Sequence, residues 1–131
     1  MPNRDVVISA NAPAAIGPYS QAVKANGCVF TAGVIPLDPE TMQIVGSEIR
    51  EQSERVLKSL ESLLEDAGSS ISLAVKTTCF LADLDDFPVF NEVYASFFTG
   101  TEQPARSTVQ VARLPLGVLV EVECIALLAS T

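Results

Sequence analysis

The sequence predicts an α+β fold, two helices on one face of an about six-stranded mixed sheet. Two apolar stripes at helical spacing carry the helices: Ile49, Val56, Leu60, Leu63, Leu64 and Ala67, then Phe87, Phe90, Val93, Tyr94, Phe97 and Phe98. β-branched and apolar segments bounded by turn residues carry the strands, and Asn26-Gly27 is a strong hairpin signal between two of them.

Asp5 to Ile8 can form a short first strand. Two prolines and a glycine in Asn11-Ala12-Pro13-Ala14-Ala15-Ile16-Gly17-Pro18 interrupt any period, so this stretch reads as a loop. Ser20 to Ala25 and Cys28 to Ala32 read as strands joined at Asn26-Gly27, and a loop through Pro36, Asp38 and Pro39 follows. The first helix runs from about Ser47 to Ala67. Ser47 is its expected N-cap, and Gly68 supplies the left-handed turn beyond it. Leu73 to Leu81 is apolar enough for a buried strand. Asp85 or Asp86 can cap the second helix, with Pro88 tolerated in its first turn and Gly100 ending it. Strands at about Ala105 to Val111 and Val118 to Leu128 complete the chain.

Bulk properties narrow the function. A length of 131 residues suits one domain spanning 1–131. At 48% hydrophobic, so short a chain holds more apolar surface than it can enclose alone, which points to a subunit interface. The net charge of −8 and the absence of a basic run make nucleic acid a poor partner. With no His, Ser-His-Asp triads, Cys-His pairs and His metal sites are excluded. Cys28, Cys79 and Cys124 stand far apart in apolar stretches, as buried thiols of a reducing compartment do. No glycine-rich phosphate loop is present. Met1-Pro2-Asn3-Arg4-Asp5 lacks the apolar run of a signal peptide, and no segment is long enough to span a membrane. The cytoplasm is therefore the expected compartment, or the mitochondrion if a presequence has been removed.

Strand alternation suggests where chemistry lies. Val109 and Val111 share one side of their strand, and Arg106, Thr108 and Gln110 the other. In the last strand Val120, Val122, Cys124 and Ala126 face one way, and Leu119, Glu121, Glu123 and Ile125 the other. The aliphatic sides are expected to meet the helices. The other sides would then carry Arg106, Glu121 and Glu123 onto an apolar surface packed against further copies. Two readings are open. Arg106 forms a structural ion pair with Glu121 or Glu123, or its guanidinium fork binds a carboxylate ligand beside a Glu that activates water.

The residues themselves resemble a known family. Asn11 through Gln21 (NAPAAIGPYSQ), Thr31-Ala32-Gly33 and Ile35-Pro36 look like the opening of RidA (YjgF) proteins, the reactive intermediate/imine deaminases. Lys76-Thr77-Thr78, Asp83 through Phe87, Asn91 with Tyr94, and Phe97-Phe98 are similar to its middle. Pro104 through Ser107, Val111 through Pro115 and Val120 through Glu123 are similar to its C-terminal signature. The likeness covers nearly the whole chain.

The resemblance implies a chorismate-mutase-like fold, a homotrimer and three clefts between neighbouring copies. It also implies hydrolysis of imines such as 2-iminopropanoate and 2-iminobutanoate, formed from enamines such as 2-aminoacrylate, to 2-oxo acids and ammonium. By position, Arg106 holds the substrate carboxylate and Glu121 orients or deprotonates water. Tyr19 closes the pocket, Asn91 supports the ligand, and the backbone at Thr108 adds a hydrogen bond. No cofactor is implied. Pyridoxal-phosphate dehydratases would supply the enamine, and other pyridoxal-phosphate enzymes would be spared its attack. Thr108 stands where many members carry Cys, and Ala32 where many carry Ser. Relatives described as endoribonucleases or translation inhibitors supply one rival reading, and a non-catalytic 2-oxo acid-binding or chaperone-like trimer another.

Overall fold

The computed structural model describes residues 3–129. Met1, Pro2, Ser130 and Thr131, which the one-domain reading includes, lie outside the described residues. The strands are β1 (Asp5–Val7), β2 (Ala22–Ala25), β3 (Cys28–Thr31), β4 (Ala74–Leu81), β5 (Ala105–Gln110) and β6 (Val120–Leu127). The helices are α1 (Ile49–Asp66) and α2 (Phe87–Phe97). The six strands form one sheet in the order β1-β2-β3-β6-β4-β5. All neighbours are antiparallel except β4 and β5, which run parallel, so the sheet is mixed as expected. The parallel pair follows from α2, which carries the chain back over the sheet between them.

The β2–β3 turn has Asn26 and Gly27 both in the left-handed region, with φ of 52° and 78°. That backbone twist matches the flanking strands, which is why this dipeptide marks a hairpin. Helix α1 ends with Gly68 at φ 89°, also as expected. Its start differs. Glu48, not Ser47, holds the N-cap position, and no side chain caps the helix there. Gln52 ties that end down instead. Its amide nitrogen donates to Gly46 O at 3.1 Å, and its side-chain oxygen accepts from Leu119 N at 2.8 Å. The same side chain thus secures the helix start and the entry to β6.

Both helices cover one face of the sheet. Val56, Leu57, Leu60 and Leu64 of α1 and Phe90 of α2 are fully buried in one cluster with Cys79, Leu81, Val120 and Val122. The opposite face has no cover among the described residues. Phe30, Val109 and Leu127 stay 43%, 43% and 48% exposed on it.

Leu60 is 0% exposed at the centre of this core. Leu60→Ala should lower unfolding free energy by about 2–5 kcal/mol, read as a lower urea midpoint with an unchanged slope.

Candidate functional site

Arg106 sits on β5, the edge strand beside β4. It pairs with Thr77, and Thr77 pairs on its other side with Cys124 of β6. Directly paired residues share a face, and Thr77 is fully buried beneath the helices. Arg106 therefore points to the helix side. Its guanidinium carbon lies 4.6 Å from the centre of the Tyr94 ring and 5.4 Å from that of Phe87. Phe87, Asn91 and Tyr94 fall at helical spacing on α2, which aligns both rings and the Asn91 amide toward that strand.

Among the described residues the Arg106 side chain has neither an ion pair nor a hydrogen bond; the pairs found are Arg50 with Glu92 and Lys58 with Glu61. Asn91, Tyr94, Phe98, Gln103, Pro104 and Arg106 line an open cleft of about 430 Å³. Along the strand, the Thr108 hydroxyl is buried without a hydrogen-bond partner. Because β5 is an edge strand, one side of its backbone also presents unpaired N–H and C=O groups.

Glu121 sits elsewhere. It pairs with Phe80, which pairs with Val109 on the uncovered face. Its carboxylate lies against Gly33, where any Cβ would overlap Oε2. Burial, then the neighbouring Glu123, raise its pKa above the ordinary 4.5. Gly33 also lines a cavity with Tyr19 and Ala32. Tyr19 is 48% exposed, and its hydroxyl accepts from Ile16 N at 3.2 Å. Gln21 pins this loop from below: its side chain accepts from Ser9 N and donates to the carbonyls of Ser9, Ala12 and Pro13.

The expected residues thus form two groups. Arg106, Asn91 and Thr108 lie on the helix side, while Glu121 lies on the uncovered face against Gly33, which lines a cavity with Tyr19. The expectation that Arg106 shares a face with Glu121 and Glu123 is corrected by the register. The aliphatic side of β5, with Val109, faces outward, and the Arg106 side meets α2. A helix surface ending in Phe87 and Tyr94 rings accommodates a guanidinium as readily as an aliphatic chain. The structural ion pair within one chain is also overturned. Gly33, Gln21 and Tyr94 belong to motifs noted in the sequence, yet no role was expected of them. The Phe87, Asn91, Tyr94 spacing was the signal for the ring beneath Arg106.

Among the described residues no group of three His, Cys, Asp or Glu side chains converges as a metal site. Burial pushes the Cys79 thiol up to about 11 and Cys124 to about 12, so neither is a thiolate near neutral pH. Among the described residues no helix is long and apolar enough to cross a membrane.

Comparison with known proteins bears on these groups. The family model described as Endoribonuclease L-PSP matches residues 9–128. The chain is 51% identical over 125 residues to Reactive Intermediate Deaminase A, chloroplastic, of Arabidopsis thaliana, covering 95% of this chain and 66% of that protein. It is 45% identical over 123 residues to 2-iminobutanoate/2-iminopropanoate deaminase of Mus musculus, covering 94% and 90% of the two chains. The crystal structure of E. coli TdcF with bound serine superposes with a TM-score of 0.90 at 41% identity, covering 95% of this chain and 99% of that one.

The raised Glu121 pKa has a defined effect on stability. A carboxyl whose folded value exceeds its unfolded value favours folding below the unfolded value, and that contribution is lost as pH rises through the folded one. Ionised Glu121 therefore opposes folding at neutral pH. Glu121→Gln should melt higher than the parent at pH 7, with the difference vanishing toward pH 4; thermal melts across that range check it.

Proposed function

Since the chain belongs to the Endoribonuclease L-PSP family, the family of the RidA (YjgF) proteins, we propose that it hydrolyses imines of short 2-oxo acids to the 2-oxo acid and ammonium. The observation that carries this reading is the Arg106 guanidinium, free of any carboxylate among the described residues and open to a cleft beside Asn91. A fork with its donors unspent fits a small carboxylate in two places, as a Lys ammonium cannot. The proposed substrates are 2-iminopropanoate and 2-iminobutanoate, tautomers of enamines released by pyridoxal-phosphate dehydratases.

In this reading the substrate carboxylate rests on Arg106, with Asn91 beside it and the Thr108 backbone adding a hydrogen bond. Glu121 takes a proton from water as the water oxygen bonds to the imine carbon and the C=N π electrons move to nitrogen. With the substrate entering as the protonated imine, Glu121 returns that proton to the carbinolamine nitrogen. It then accepts the hydroxyl proton as the C–N bond breaks and the oxygen closes to the carbonyl, and passes it to the departing ammonia, which leaves as ammonium. Partial desolvation of Glu121 supports its role as a base, because a raised pKa makes the carboxylate a stronger proton acceptor. The chemistry asks for no cofactor, and positioning plus one base supplies the acceleration.

Arg106 and Glu121 face opposite sides of one sheet, so a single chain does not bring both to one ligand. The substrate is therefore taken between copies: Arg106 and Asn91 from one, Glu121 and Tyr19 from the next. A head-to-tail contact of this kind closes into a ring, and the trimer proposed for this chain would also cover its exposed apolar sheet face. The family description favours a second reading, an RNA-cleaving enzyme. A net charge of −8 without His weighs against it, and salt-dependent RNA binding with strand cleavage would support it.

A threonine dehydratase coupled to this protein, with loss of imine absorbance followed, tests the proposal. Arg106→Lys should lower kcat/KM by about 100-fold or more with the oligomer intact in sedimentation. Unchanged hydrolysis defeats the assignment. Glu121→Gln should lower kcat by roughly 10²-fold or more while 2-oxobutanoate still binds. Thr108→Cys should stay within about threefold of the parent, because the proposed contact comes from backbone.

A further inference from the structure

Arg106 is unusual in what holds it. Buried or half-buried arginines are commonly fixed by hydrogen bonds to carboxylates or carbonyls, which consume the donors a ligand would need. Here no such bond is found among the described residues, yet the side chain is half-buried and seated on a defined surface. That surface is aromatic. Tyr94 lies nearer than Phe87, and its ring has a hydrogen bond and a stacking partner of its own.

The lock has three parts. The Tyr94 hydroxyl shares a 2.8 Å hydrogen bond with the hydroxyl of Thr77, which is fully buried. Thr77 is also the direct cross-strand partner of Arg106, so the residue that aims the ring is fixed by the same ladder that fixes the guanidinium's backbone. On its other side Tyr94 stacks on Phe98, with centroids 4.2 Å apart and planes 10° from parallel. The ring thus has little freedom to turn.

We infer that Tyr94, aimed by Thr77, is a positioning residue for Arg106: its ring face holds the guanidinium in place while leaving the N–H fork available to a carboxylate. The ring face attracts a cation without accepting its in-plane N–H groups. A carboxylate in the same place would occupy the fork and cancel its charge. A phenol is neutral near pH 7, and burial moves the Tyr94 pKa further up, so the ring brings no competing anion. This inference rests on the reading of Arg106 as the carboxylate site, and it names what prepares that site.

The test uses the full-length protein, with pyruvate as binding probe and the dehydratase-coupled assay as rate probe. Tyr94→Leu removes the ring and should raise both the pyruvate Kd and the imine KM about tenfold, with kcat changed less than about threefold. Tyr94→Phe keeps the ring but loses the Thr77 bond, and should recover most of that loss, leaving about a threefold rise in Kd. A structural defect alone would lower kcat and KM-linked binding together without this order. Folded Tyr94→Leu that binds pyruvate as the parent does overturns the inference, even where Arg106→Lys is inactive and the proposed reaction stands. Should Tyr94→Leu not fold, Tyr94→Phe decides: a higher Kd at unchanged kcat supports the clamp, and an unchanged Kd overturns it. Loss of neither binding nor hydrolysis in Arg106→Lys strikes the underlying reading instead.

Discussion

Alternation along the strands, fixed by the register through Thr77, sets what this protein can do. Thr77 stands between Arg106 on β5 and Cys124 on β6, and all three share the face beneath the helices. Glu121, three residues from Cys124, necessarily falls on the other face. A one-residue slip of β5 would turn Arg106 outward and bury Ser107 or Val109 against α2 instead. The core that prevents this slip, Cys79 and Leu81 packed with Val120, Val122 and α1, therefore also fixes the separation of the two charges.

That separation organises the electrostatics. Within one chain neither charge neutralises the other, so each retains the state that the proposed hydrolysis calls for. Arg106 keeps its hydrogen-bond donors because aromatic faces hold it. Glu121 keeps a raised pKa because burial and Glu123 both disfavour its ionised form, and no cation stands against it among the described residues. Had the two met in one chain as an ion pair, the pair would lower the carboxyl pKa and fill the fork, leaving a stable contact without an opening for substrate. The exposed apolar sheet face and the unpaired backbone of β5 belong to the same picture, since both are surfaces that another copy can cover.

Much of the fold was legible because its signals are periodic. The α1 and α2 stripes and the Asn26-Gly27 turn each predict an element that the structure contains; the strand ends at the turn fall where expected and other ends shift by a few residues. The failures have physical causes. Ser47 looks like a cap, but the N-cap position falls at Glu48, and Gln52, reaching back to Gly46 O, anchors the chain leading into the helix. The facing of β5 was misread because an edge strand carries polar groups on both sides, Ser107 on one and Arg106 and Thr108 on the other, so apolarity does not identify the inner face. Alternation gives the parity of residues within a strand, but only register relates the parity of two strands. The candidate residues were legible through family motifs, whereas their division into two groups was not. The ring beneath Arg106 was hidden inside what read as an apolar stripe.

The central claim is that one site draws Arg106 from one copy and Glu121 from another, and complementation tests it most directly. Arg106→Ala and Glu121→Gln variants, each inactive alone, would be unfolded together, refolded as mixed oligomers and assayed for imine hydrolysis. In a head-to-tail ring assembled at random from equal amounts, about a quarter of the sites combine an intact Arg106 with an intact Glu121, so activity should return to roughly that fraction of the parent. Mixed oligomers, verified by mass, that remain as inactive as either variant alone would contradict the account.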